Sequence, residues 1–103
     1  MVDIRTLAED VAEAWGVDAQ MGVLAEECAE LIVALHHYGR GKCEPANVVE
    51  EIADVMLAAE LLAHVFVGGT GTVDQVKARK ASRLVRRIKR SGGHERWVRI
   101  KSS

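Results

Sequence analysis

The chain has 103 residues, 49% of them apolar and 28% charged, with a formal net charge of −1. This composition describes one small globular domain and not a disordered chain. No apolar run reaches the roughly 18 residues of a membrane span, and the opening M-V-D-I-R-T-L-A-E-D does not read as a secretory signal. Two cysteines, Cys28 and Cys43, form no motif, so reduced thiols in a cytoplasmic protein are expected. Four aromatics and a single proline point to an aliphatic core in long helices. The near-zero net charge hides an asymmetry. Residues 1–76 carry three basic and fourteen acidic residues, a net of −11, whereas 77–103 carry eleven basic and one acidic, a net of +10. The two parts can neutralise each other, or the acids can hold a cation and the bases meet an anion.

Four helices are predicted in chain order. The first runs over about Ile4–Trp15, where Ile4, Leu7, Ala8, Val11, Ala12 and Trp15 recur at helical spacing, with Asp3 as N-cap and Gly16 as stop. The second runs over about Ala19–Tyr38, capped by Asp18 and ended by Gly39-Arg40-Gly41. The third starts after Pro45, a good first-turn residue, and runs to about Val67, where Gly68-Gly69-Thr70-Gly71 breaks it. The fourth runs over about Val73–Arg90 and ends at Gly92-Gly93. The tail His94–Ser103 contains the alternation Trp97-Val98-Arg99-Ile100, readable as a short strand or as a disordered end with one aromatic anchor. Helices two and three are apolar nearly all round, which a chain of this size cannot cover alone. A homo-oligomer, dimer or tetramer, is therefore expected, with these helices in its interface.

Acids interrupt these two apolar helices. Helix two carries Glu26, Glu27 and Glu30, and helix three carries Glu50, Glu51 and Asp54. Glu27 and Glu30 share a helix face, as do Glu26 and Glu30, and Glu51 and Asp54. Antiparallel packing of the two helices brings four carboxylates together. Such a set repels itself unless a cation neutralises it. A merely solvated acidic stripe would offer lysine or arginine four residues on. Here those positions hold Glu30, Leu31, Ala34, Asp54, Val55 and Ala58. Oxygen ligands without His or Cys favour Mg²⁺, with Mn²⁺ as a substitute, over zinc.

E-E-C-A-E at 26–30 followed by E-I-A-D at 51–54 resembles the E-E-x-x-E … E-x-x-D signature of the MazG-like all-α nucleoside triphosphate pyrophosphohydrolases. W-G-V-D-A-Q at 15–20 is similar to their entry into the metal helix, and K-A-S-R-L-V-R-R-I at 80–88 to the basic last helix of the short phage and bacterial members. The resemblance covers about residues 4–90 and implies an all-α, four-helix fold over residues 1–93, completed by oligomerisation, with part of each site open to contribution from a neighbouring subunit. It implies that Glu27, Glu30, Glu51 and Asp54 ligate Mg²⁺, that Glu26 holds a second ion or orients the attacking water, and that a (d)NTP is hydrolysed to (d)NMP and pyrophosphate. Glu50 lies beside the motif.

The chemistry suits the residues. Carboxylates hold the metal, the metal activates water, and no protein nucleophile is needed. Lys80 and Arg83, with Lys77 and Arg87 behind them, are candidates for the polyphosphate; the plain alternative is that helix four only neutralises the acidic core. Trp15 is either a core residue or a stacking surface for a base. Gln20 is either a base or sugar contact or a polar first-turn residue. Asn47 either faces the same cleft or only opens helix three. His36-His37 reads as a solvated helix end, the alternative being that His37 edges the site; His64 reads as a local partner of Glu60, and Cys28 as an inert packed thiol pointing away from the acids. A nucleic-acid-binding module built on the basic helix is the second class of function, although Leu84, Val85 and Ile88 give that helix an apolar face and the acidic remainder repels DNA. A non-catalytic helical interaction module is the third. Base and sugar preference are not encoded in any motif.

Overall fold

In the computed structural model, residues 1–92 are described, and they form four helices: α1 (Ile4–Trp15), α2 (Val17–Gly39), α3 (Pro45–Val67) and α4 (Gly71–Arg90). No strand occurs among the described residues. The readings made for the tail from Gly93 onward lie outside them. Residues 1–70 form one compact unit holding α1–α3, and α4 belongs to a second. No single helix is long and apolar enough to cross a membrane among the described residues.

Asp3 caps α1 as predicted. Its carboxylate accepts from the Arg5 backbone N–H at 3.3 Å and from the Thr6 hydroxyl at 2.7 Å. The Thr6 hydrogen bond in particular holds its pKa below the ordinary range. The start of α2 differs from expectation. Asp18 is no cap; it sits in the first turn, and the helix begins at Val17. Gly16 makes the whole joint, at φ +86° and ψ 163°, a region essentially reserved for glycine. Its backbone N–H donates to Ala12 and its carbonyl accepts from Gln20, so one residue closes α1 and opens α2.

α3 opens on Pro45 with a reciprocal capping box. The Glu44 carboxylate accepts from the Asn47 backbone, and Asn47 Oδ1 accepts from the Glu44 backbone N–H at 3.1 Å. It closes on Gly68 in the left-handed region, φ +76° and ψ 8°. Arg5 Nη2 donates to the Gly68 carbonyl at 3.1 Å and ties the start of α1 to the end of α3. α4 begins two residues before the predicted Val73, because Gly68 and Gly69 absorb the break and leave Gly71 free to be helical. Taken by itself, α4 carries an apolar stripe of Val76, Leu84 and Ile88 on an otherwise basic surface.

The antiparallel pair α2–α3 dominates the first unit, joined by residues 40–44. Cys43 near the turn reaches the Ala34 carbonyl at 3.7 Å, while Glu51 meets Glu27 one step further along. The inward positions of α2 are Gln20, Leu24, Glu27, Leu31 and Ala34, spaced four, three, four, three. Those of α3 are Val48, Glu51, Val55, Ala58 and Leu62, spaced three, four, three, four. This is the seam of two helices packed along their lengths. α1 lies against α3 and more lightly α2, and Ala8, 1% exposed, permits its close approach.

The core of this unit is thin. The buried apolar residues are Ala8, Ala34 and Ala63, and no large side chain is fully buried among the described residues. Ile32, Val33, Val49, Met56 and Phe66 are each more than half exposed. Cys28, expected to be packed, is exposed as well. It lies on a side of α2 that neither α1 nor α3 covers.

Candidate metal centre

Two of the inward seam positions are glutamates, Glu27 on α2 and Glu51 on α3, and both are half-buried. Asp54 stands one turn beyond Glu51, at the edge of the seam. One carboxylate oxygen from each of the three residues lies within 4.8 Å of the other two. Glu27 Oε2 and Glu51 Oε2 are buried and have no hydrogen-bond partner among the described residues. Neither α2 nor α3 contains a lysine or arginine to answer them.

The electrostatics follow from this placement. Partial burial raises the pKa of Glu27, and the carboxylates of Glu30, Asp54, Glu51 and Glu26 raise it further. Glu51 is raised by burial and then by Glu30, Asp54 and Glu50. Glu30 is outside the group of three, yet its charge acts on both half-buried glutamates. The cluster is thus a concentration of unanswered negative charge with buried free oxygens. An all-oxygen set of this kind fits a hard divalent cation such as Mg²⁺ or Mn²⁺.

The cluster separates two hollows of the first unit. Glu27 and Asp54 line a mostly apolar cleft of about 300 Å³, together with Trp15 and Gln20. Glu51 lines a second hollow of about 430 Å³, with Glu26, Glu30, His37 and Asn47. Asn47 therefore borders the acids, but its side-chain oxygen is already committed to the cap of α3. Trp15 is 73% exposed and forms the lip of the apolar cleft, so it is not a core residue of this unit. Gln20, readable as a solvated first-turn residue, is buried instead. Lys80 and Arg83 lie on α4, in the second unit, and both are exposed.

His36 and His37 are exposed, as expected for a helix end. The local pair of Glu60 with His64 is not formed through His64 Nδ1, which is buried without a partner. Val23, Leu57 and Leu61 also line the apolar cleft, although their sequence pattern reads as ordinary core. Only the position of Gln20, two full turns before Glu27 on the same face, could have pointed to them. Comparison with protein-family models, curated proteins and solved structures returns no match to this chain.

Proposed function

We propose that this chain is a divalent-metal-dependent nucleoside triphosphate pyrophosphohydrolase of the MazG-like kind, releasing a nucleoside monophosphate and pyrophosphate. The observation that carries the reading is the convergence of Glu27, Glu51 and Asp54 at the α2–α3 seam, with no lysine or arginine on either helix. These three residues hold the metal, and Glu30, whose charge reaches both glutamates, completes the set. A bound Mg²⁺ supplies neutralisation of phosphate charge and acidification of water. Glu26, bordering the hollow that Glu51 also lines, orients the attacking water. Lys80 and Arg83 are assigned to the polyphosphate by charge alone.

The same reading includes self-association as a dimer or tetramer. A unit without one fully buried large side chain, and with Ile32, Val49, Met56 and Phe66 exposed, gains stability by covering those side chains with a second copy. Pyrophosphate release from canonical and modified NTPs and dNTPs, in Mg²⁺ and in EDTA, tests the activity. Release that needs Mg²⁺ and falls at least about a hundredfold in Glu51→Gln supports the reading. Absence of release from every substrate overturns it.

A further inference from the structure

The amide of Gln20 is out of place for a structural residue. It is 6% exposed, at a seam position where Leu24 and Leu31 fill the equivalent spaces, and neither Nε2 nor Oε1 has a hydrogen-bond partner. Burying a polar group without a partner is unfavourable, and a leucine or methionine would fill the position without that loss. The residue lines the apolar cleft whose walls include Trp15, Val23, Leu57 and Leu61, and which Glu27 and Asp54 also line. An unpaired donor and an unpaired acceptor, side by side beside an aromatic lip, suit a flat heterocycle with a polar edge.

We propose that the Gln20 amide binds the pairing edge of a nucleobase in this cleft, and that it does so without choosing among the standard bases. Among the described residues no group pins the amide, so it can present donor and acceptor in either order. Adenine and cytosine carry an amino group next to a bare ring nitrogen; guanine and uracil carry a carbonyl next to a ring N–H. One rotation of the amide matches the first pair and the other matches the second. The cleft therefore holds any base with an adjacent donor and acceptor, and discriminates against a ring in which that edge is blocked. The choice of a nucleotide as ligand rests on the hydrolase reading, but the binding event does not require hydrolysis.

The test uses the full chain carrying Trp97→Phe, so that Trp15 is the only tryptophan. Fluorescence is titrated in EDTA with free adenosine, cytidine, guanosine, uridine and N3-methyluridine. The four standard nucleosides are expected to bind with affinities within a few-fold of one another, and N3-methyluridine about tenfold more weakly. Gln20→Met is expected to weaken the four by about tenfold, to abolish the difference between uridine and its N3-methyl form, and to leave the melting temperature unchanged or raised. No quenching by any nucleoside overturns the proposal, and so does equal binding of uridine and N3-methyluridine by the unsubstituted chain, a comparison that needs no variant to fold. Unchanged binding by folded Gln20→Met overturns it too. Nucleoside binding without pyrophosphate release would remove the hydrolase reading and keep the cleft. Release with KM for every NTP indifferent to Gln20→Met would do the reverse.

Discussion

Glu27 and Glu51 hold their protons more tightly in the fold than the ordinary glutamate value of 4.5, because partial burial and neighbouring carboxylates penalise their charge. The folded state therefore binds more protons than the unfolded chain just above that value. By linkage, the stability these two groups contribute is fully present below about pH 4.5 and is lost as pH rises through their raised pKa values. In EDTA, Glu51→Gln removes one such charge, so it is expected to melt higher than the parent chain at pH 7, with the difference shrinking by pH 4. A variant that melts lower at pH 7 would mean that the charge is answered by a partner. Gly68 gives a second test of a single residue. Its left-handed conformation has open space around the missing Cβ, so Gly68→Ala meets only backbone strain. A loss of about 1–2 kcal/mol is expected in urea unfolding, and no loss would show that α3 ends differently in solution.

The helices themselves were legible because local chemistry agreed with apolar spacing. Asp3, Pro45 and Gly68 mark their helix ends by capping and φ preference, and the structure uses all three. Asp18 was misleading: a short acid just before an apolar helical run looks like a cap, but Gly16 makes the joint with its backbone alone. The acids stood out because no lysine or arginine lay four residues on, and two of them sit at seam positions. Gln20 could not be recognised in the same way, since a lone glutamine near a helix start looks the same whether it is wet or buried. Cys28 failed for a different reason, because a wide apolar stripe does not say which side is covered within one chain. The close approach of α1 to α3 depends on Ala8. Overpacking by Ala8→Leu is expected to cost about 1–3 kcal/mol in chemical unfolding, and a neutral result would show that α1 is loosely docked.

At the scale of the whole molecule, the three buried alanines among the described residues do not make a core for so much exposed aliphatic surface. Self-association predicts a sedimentation mass of two or four chains, and a shift toward one chain in the double variant Ile32→Glu with Met56→Glu. A parent chain that sediments as a monomer at all concentrations would remove the oligomer from the account. The most direct test of the central claim, that the seam carboxylates form a divalent metal site, is calorimetric titration of the intact chain with Mg²⁺. Binding is expected at pH 7, weakening on acidification as Glu27 and Glu51 take up protons and disappearing in Glu27→Gln with Glu51→Gln. Binding that survives the double substitution, or no binding in the parent chain, would contradict that claim.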